Sequence, residues 1–525
     1  MNSTLASDPL TRRYLSAKSL NVAAAIASTL QFLGLLILSI NRFIHFDGGI
    51  DYAIFNQATY LIGHGHISPY NTLYSDRFWQ DQFNLLAWPI GFIRVIFPSS
   101  FSLLVIQAGV IAATSYVVMR FAIKSAYSFN YPRWFTLSIV SAVSLLVMVS
   151  PWTYEADFFD FHMEPIFTLT LALSLYGFWL GKRRLAYAMV VLTLLAAVAS
   201  TVFVVGMGVG MILLKRLRRS GVVVVVLGLL WFLLASVLNA HQSTNVALTY
   251  GYLAHSSSAT PSLLKIFMGV ITHPGTPLSV LNARRGPIAQ IFVFSGFAGV
   301  LFPPAGLAAI ASILVNGLPN TPAFIALAQG FQNYPEVTLL TMGTAVVVLK
   351  LFRVVSGRYE NRVPRDVFGD RLAALTALLA LLIAAVGLSI DVTIPPFWLR
   401  VSPAVSETLQ RYFPAKNVEV IATMNVVGRY ASRGSIYAWF GDPQSFPVCT
   451  SRQVVVLVAN DYTQPVRRSV VLAEVTALER VRWAKLVENG SQTWVFSLHI
   501  PKNSTLTLPG ATYHEGLTGL ACHNT

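Results

Sequence analysis

Long runs of apolar residues, separated by short polar segments, dominate the chain as far as residue 391. Most of these runs approach the ~20 residues that a helix needs to cross a bilayer. The run 185–214 lies between two basic clusters and predicts two short helices that fold back near Ser200–Thr201. The stretch 83–97 is too short to span and predicts an interfacial or re-entrant helix. The eleven predicted membrane segments are 20–43, 100–122, 134–150, 164–181, the pair within 185–214, 221–239, 288–302, 305–318, 336–352 and 372–391.

Composition leads to the same class of protein. Apolar residues make up 54% of the 525 residues and charged residues only 11%, with a mean hydropathy of +0.60. A soluble fold carries roughly a quarter of its residues charged. These values exclude a soluble multidomain protein, a disordered chain and a small disulfide scaffold. They predict a polytopic α-helical membrane protein with the lipid bilayer as its first partner.

The net charge of +15 is distributed as short basic clusters between the apolar runs. The clusters lie at 12–18, 182–184, 215–219 and 353–371. This is the positive-inside pattern rather than a nucleic-acid surface, so no nucleic-acid partner is expected. The first apolar run is too long for a cleaved signal and reads as a retained anchor. We therefore expect a multi-pass plasma-membrane protein with a cytoplasmic N-terminus and with outer loops at 44–99, 151–163, 240–287 and 319–335.

The composition changes after residue 391. Alternating apolar and β-branched runs predict strands, and two amphipathic runs predict helices. We expect a transmembrane module at 1–391 and a small extracytoplasmic α/β domain at 392–525. The only cysteines, Cys449 and Cys522, both fall in this domain. An outer compartment permits a disulfide between them, and the alternative is a pair of buried thiols.

Acidic residues are concentrated in the first two outer loops. After Asp8, the first eight acids all fall in or beside these loops, and none follows until Glu336. Asp51 opens a stretch whose apolar spacing predicts an amphipathic helix lying at the membrane interface. A carboxylate at that position is either a helix cap or a general base or metal ligand at the membrane surface.

Four segments carry a resemblance to a known family. They are DYAIFNQATYLIGHGH (51–66), DFHME (160–164), FPPAGLAAIASILVNGLPNTP (302–322) and IATMNVVGRYASRGSIYAW (421–439). Their order and spacing resemble the predicted prokaryotic membrane proteins catalogued as domain of unknown function 2079. That family is similar to the GT-C class of membrane glycosyltransferases, which use polyprenyl-phosphate sugar donors. The resemblance implies transfer of a sugar from such a donor to an envelope acceptor on the outer side.

The resemblance also implies roles for individual residues. Asp51, Asp160 and Glu164 are the expected catalytic acids. Asp51, His162 and Glu164 are candidate ligands for a divalent ion, Mg²⁺ or Mn²⁺, which suits an oxygen-rich site. The expected substrate contacts, including arginines that would neutralise the leaving phosphate, are Asp47, Asn56, Gln57, Arg77, Arg94, His162, Arg284 and Arg285.

Two departures from the family pattern keep other functions open. Asn56 stands where relatives usually have a second Asp, and Ser200–Thr201 stand where Lys-Glu-Asp is expected at the hairpin. The alternatives to an active transferase are a transporter or lipid flippase, and a non-catalytic envelope scaffold derived from the GT-C fold.

Overall fold

The structure is a computed structural model that describes residues 16–45, 49–129, 131, 133–158, 160–238, 246, 249–256, 261–319, 330–359, 403–424, 426–459, 466–517 and 519–523. The predicted span 372–391 and the substrate candidate Asp47 lie outside these residues. The chain forms two compact units. The first, called the helical unit here, comprises Met1–Leu35, Gln107–Phe159 and Met163–Asp391. The second, called the mixed unit, comprises Leu36–Ile106, Asp160–His162 and Val392–Thr525.

Within the described ranges, five helices are long and apolar enough to cross a membrane. They are Ala17–Ile44, Phe101–Ser128, Phe135–Phe158, Arg218–Leu238 and Tyr334–Val354. The prediction of a mostly helical membrane protein is confirmed by these helices. The total of eleven segments stays a prediction.

The helical unit also contains shorter helices where the sequence predicts breaks. The run 185–214 forms Arg183–Ala196 and Ser200–Ile212. Ser200 lies at the break, where its hydroxyl donates to the carbonyls of Thr193 and Ala197 at 2.7 Å each. The spanning-length stretch Phe135–Phe158 consists of helices Arg133–Met148 and Pro151–Phe158, and Tyr334–Val354 is part of helix Tyr334–Tyr359. The remaining helices and 3₁₀ turns of this unit are Glu164–Trp179, Gly251–Ala254, Leu263–Thr272, Gly275–Ala283, Arg285–Phe294, Ala298–Leu301, Pro303–Gly317 and Phe331–Asn333.

Glycines allow close helix packing in this unit. A Cβ at Gly206 would lie 2.7 Å from the backbone of Ala308, and one at Gly210 would collide with Pro303. Helix Ser200–Ile212 therefore packs directly on the backbone of helix Pro303–Gly317. Such small-residue contacts are the usual way for apolar helices to associate in lipid.

The mixed unit contains the strands of the chain's C-terminal part. Its five-stranded sheet has the order Ile436–Trp439, Glu419–Thr423, Gln453–Val458, Thr493–Leu498, Ala484–Asn489. The first three strands are parallel and the last two pair antiparallel. A second, antiparallel sheet has the order Thr512–Glu515, Ser504–Leu508, Gln444–Val448. Helices Pro403–Arg411, Val427–Tyr430 and Arg468–Arg480 accompany these strands.

Segments from the predicted first outer loop belong to the same unit. They are the hairpin Tyr70–Asn71 with Asp76–Arg77 and the helices Ile50–Gly63, Phe78–Asp81 and Ala87–Ile96. The compact unit is thus assembled from three separate stretches of chain, whereas the sequence predicts a domain that begins at 392.

Candidate functional site

Helix Ile50–Gly63 is the centre of the candidate site, and the surrounding protein buries most of it. The sequence predicts an amphipathic helix at the membrane interface. In the structure, ten of its residues are buried, including Tyr52, Phe55 and Leu61. A helix that is apolar on most sides is stable when it is surrounded by protein. The helix belongs to the core of the mixed unit, and its placement at the membrane interface stays a prediction.

Asp160 caps the N-terminus of this helix. Its Oδ1 accepts from the Gly49 amide at 2.9 Å, and its Oδ2 accepts from the Tyr52 amide at 3.4 Å. The first amides of a helix have no partner within the helix, and an acidic side chain at this end is favoured by the helix dipole. Gly49 leaves room for the cap, because a Cβ there would collide with the Asp160 carboxylate.

Arg42 completes the contacts of this carboxylate. It lies in the last turn of helix Ala17–Ile44, and its Nη2 is 3.6 Å from Asp160 Oδ1 with both side chains about one-tenth exposed. A carboxylate engaged by two amides and a guanidinium is well suited to fix a helix and poorly suited to accept a substrate proton. A helix cap was one of the two roles left open for Asp51, and in the structure Asp160, 111 residues away from Gly49, supplies the cap.

Asp51 presents the exposed carboxylate of the site. Its side chain is 40% exposed, and Oδ2 lies 3.8 Å from His162 Nε2. Burial lowers the pKa of His162 to about 3, and the charge of Arg42 acts in the same direction. The imidazole is therefore neutral at pH 7, so this contact is not an ion pair, and 3.8 Å exceeds a direct hydrogen bond. The arrangement is a carboxylate beside a neutral, buried imidazole.

Asn56 and Gln57 are fully buried and hold the C-terminal part of the unit. Asn56 Nδ2 donates to the Gly428 carbonyl at 3.0 Å, and Gln57 Nε2 donates to the Gly434 carbonyl at 2.8 Å. Gln57 also exchanges hydrogen bonds with Thr72 at 2.9 and 3.1 Å. A ligand could reach either amide only if these contacts opened.

Arg94 is buried as well, and its hydrogen bonds join the same elements. Nη1 donates to the Asn56 carbonyl at 2.7 Å, to Asn56 Oδ1 at 2.6 Å and to Thr59 Oγ1 at 3.0 Å. Nη2 donates to Ser432 Oγ at 2.9 Å. Burial lowers the pKa of Arg94 to about 10, so the guanidinium stays charged at pH 7. Its hydrogen bonds give it a structural function, and its predicted contact with phosphate stays a prediction.

Of the other three predicted arginines, one is buried and two are exposed. Arg284 is buried, donating to the Gly317 carbonyl and, at 2.6 Å, to the Pro319 carbonyl at the end of helix Pro303–Gly317. A cation at this position complements the helix dipole. Arg77 and Arg285 are exposed and remain accessible to an anionic group.

Glu164 lies in the helical unit, in the first turn of helix Glu164–Trp179, while Asp51 and His162 belong to the mixed unit. Across the described part of the chain, the side chains of His, Cys, Asp and Glu form no group of three that could hold a metal ion. The predicted Mg²⁺ or Mn²⁺ site therefore stays a prediction.

The sequence analysis missed residues that only the fold brings to helix Ile50–Gly63 and to the end of helix Ala17–Ile44. Ser432 donates to Asn56 Oδ1 at 3.0 Å, and Arg429 donates to the Phe43 carbonyl at 2.9 Å. The guanidinium of Arg429 also lies 4.9 Å from the centre of the Phe43 ring. These residues fall within the motif 421–439, and the motif was the available signal, although it gave no indication of their contacts.

Cys449 and Cys522 form a disulfide, with the sulfur atoms 2.08 Å apart. The bond holds the C-terminal residues, and the next residue, His523, stacks on Tyr70 with ring centres 3.6 Å apart. Of the two alternatives that the sequence left open, the structure has the disulfide.

The spanning-length apolar helices define the class of this chain: it is a polytopic membrane protein whose second compact unit contains β-sheets. A model of the family described as predicted membrane protein, domain of unknown function 2079, matches residues 43–404. The chain belongs to that family, and the resemblance found in its sequence motifs is confirmed.

Two further comparisons, with curated proteins and with solved structures, add no family assignment. No curated protein matches the chain. Among solved structures, the chain is similar to the crystal structure of ArnT from Cupriavidus metallidurans in the apo state, with 12% sequence identity and a TM-score of 0.45. The match covers 90% of this chain and 98% of the ArnT chain.

Proposed function

We propose that this chain is a membrane glycosyltransferase that moves a sugar from a polyprenyl-phosphate donor to an envelope acceptor on the outer side of the membrane. The observation that carries the proposal is the exposed Asp51 carboxylate beside the neutral imidazole of His162. Helix Ile50–Gly63, which carries Asp51, begins shortly after the spanning-length helix Ala17–Ile44. A carboxylate close to the end of such a helix is within reach of a lipid-carried substrate.

The chemistry requires a base and charge compensation. Asp51 accepts the proton of the acceptor hydroxyl while the hydroxyl oxygen attacks the anomeric carbon of the sugar. The bond between that carbon and the phosphate oxygen breaks, and the lipid phosphate leaves with the electron pair. A positioned base contributes about 10²–10⁴-fold to the rate. Arg77, exposed and in the same unit, is the cation assigned to the leaving phosphate, and a divalent ion bound by Asp51 is the alternative.

The proposed orientation of the chain in the membrane rests on the disulfide between Cys449 and Cys522. Disulfides persist in oxidising compartments outside the cytoplasm, and the bond between Cys449 and Cys522 favours an outer location for the mixed unit. The basic clusters between the apolar runs favour a cytoplasmic N-terminus. Together they support an outer-face reaction.

The decisive experiment compares Asp51→Asn with Asp442→Asn, which alters another exposed acid of the same unit. Purified protein is reconstituted with polyprenyl-phosphate sugars and envelope acceptors, with and without a chelator, and product is quantified. We expect Asp51→Asn to lose at least about 100-fold in rate at unchanged thermal stability, while Asp442→Asn keeps wild-type activity. Full transfer by Asp51→Asn would rule out the proposed base. Loss of wild-type activity in chelator would assign the charge compensation to a metal.

A non-catalytic envelope scaffold is the second candidate, and one observation favours it. The polar side chains of Asn56, Gln57 and Arg94 hold protein segments together rather than line an open site. A scaffold predicts that Asp51→Asn leaves cells unaffected, whereas Asn56→Leu, which removes the contact with Gly428, disturbs envelope assembly. A transferase predicts a phenotype for both.

A further inference from the structure

Glu336 is a fully buried acid in the first turn of the spanning-length helix Tyr334–Val354. Acidic side chains within membrane helices are costly and mark ion or proton sites. The proposed transferase reaction does not use this residue, which belongs to the helical unit. Its surroundings therefore require a separate explanation.

The two oxygens of this carboxylate are in different situations. Oε1 accepts from Ser312 Oγ at 2.5 Å and from Asn316 Nδ2 at 3.2 Å, both on helix Pro303–Gly317. Oε2 is buried and has no hydrogen-bond partner among the described residues. A buried carboxylate oxygen without a partner is expensive. A ligand at Oε2 would remove this cost.

Neighbouring charges indicate the sign of that ligand. The charge of Glu164, on helix Glu164–Trp179, repels a negative charge on Glu336. A second acid, Asp157, interacts electrostatically with Tyr334, which lies two positions before Glu336. Helix Pro303–Gly317 contributes no ionisable side chain. Because a carboxylate oxygen is a hydrogen-bond acceptor, a partner at Oε2 would be a cation or a donor.

We infer that Glu336 is a site for a small monovalent cation, a proton or a sodium ion, bound at Oε2 within the helical unit. Hard oxygen ligands suit such an ion. Asn316 is half-buried and its side-chain amide contacts the carboxylate, so it provides an approach to the site from the protein surface. This site does not rest on the proposed transferase activity.

The test uses the full chain in proteoliposomes and a hydrophobic carbodiimide, which reacts with protonated carboxyls inside membranes. Mass spectrometry follows modification of Glu336 across pH, with sodium or choline chloride at equal ionic strength. If sodium binds, sodium at ten times its dissociation constant slows modification about tenfold relative to choline. If the ion is a proton, modification falls as pH rises and does not depend on sodium. Either result supports the site.

Modification of Glu336 that is absent, or that responds to neither pH nor sodium, would overturn the inference. Glu336→Gln provides an independent arm, because it keeps an acceptor for Ser312 and removes the charge. In thermal unfolding, the midpoint of the wild type should shift with sodium or with pH, and Glu336→Gln should lose this shift. Glu407→Gln, a control at an exposed acid, should keep it. Should Glu336→Gln not fold, Asn316→Ala replaces it and is expected to weaken sodium protection.

Discussion

Variants of Asp160 distinguish a structural role from a catalytic role, because the sequence motif predicts a catalytic acid and the structure shows a helix cap. Asp160→Ala removes the acceptor of the Gly49 and Tyr52 amides and the partner of Arg42. Loss of a capping side chain costs about 1 kcal/mol. Losing the contact between the mostly buried Arg42 guanidinium and the Asp160 carboxylate adds up to a few kcal/mol. We expect a local loss of about 3 kcal/mol at helix Ile50–Gly63.

Hydrogen exchange measures this loss where it occurs. A cost of about 3 kcal/mol corresponds to exchange roughly 100-fold faster in the amides of helix Ile50–Gly63, if they exchange by local opening. Asp160→Asn keeps an oxygen acceptor but loses the charge, so an intermediate acceleration is expected. Gly49→Ala is the matched variant. It leaves Asp160 in place but introduces a Cβ that displaces its carboxylate, and it should accelerate the same amides.

The opposite pattern would refute the capping argument. If Asp160→Asn and Gly49→Ala leave exchange of the helix unchanged, and Asp160→Asn alone abolishes sugar transfer, then Asp160 acts on the substrate. If both variants accelerate exchange and reduce transfer in parallel, the carboxylate acts by positioning the helix that carries Asp51.

Three further predictions use matched positions. Arg94→Ala should lower the unfolding free energy by about 3 kcal/mol through loss of its buried hydrogen bonds, whereas the exposed Arg77→Ala should not change stability. Arg284→Ala should cost about 1–2 kcal/mol at a helix C-terminus and accelerate exchange there, whereas Arg285→Ala should have no effect. Burial raises the pKa of Glu419 from 4.5 to about 7, so the fold binds its proton more tightly than the unfolded chain. Stability should therefore fall as pH rises from 4.5 to 7, and Glu419→Gln should remove up to about 3 kcal/mol of that loss, measured by denaturation above and below this range.

The sequence was sufficient for the features that local patterns determine. Apolar length identified spanning-length helices such as Phe101–Ser128, and the small polar residues at Ser200–Thr201 marked the break between two short helices. β-branched runs marked strands such as Glu419–Thr423 and Gln453–Val458. In each case the deciding information lies within one stretch of chain, because a helix or strand must satisfy its own backbone groups.

Long-range pairing explains what the sequence left undetermined. Asn56 and Gln57 bond to carbonyls 372 and 377 residues away, so nothing near them indicates that helix Ile50–Gly63 is buried. An apolar helix with polar positions has the same pattern whether it lies on a membrane or inside a protein that satisfies those positions. The rarity of charged residues drew attention to Asp160 and Arg94, but their contacts depend on the fold.

The same contacts explain why Asp51 is the strongest candidate for chemistry. A reacting group must be held in a fixed position and still be reached by substrate. Around helix Ile50–Gly63, Asp160 fixes the first turn, and Asn56 and Arg94 fix the middle of the helix against the C-terminal part of the unit. Asp51 lies in that first turn, so its backbone is held in place while its side chain is 40% exposed. Loosening any of these supports should therefore reduce transfer by misplacing Asp51, without removing its carboxylate.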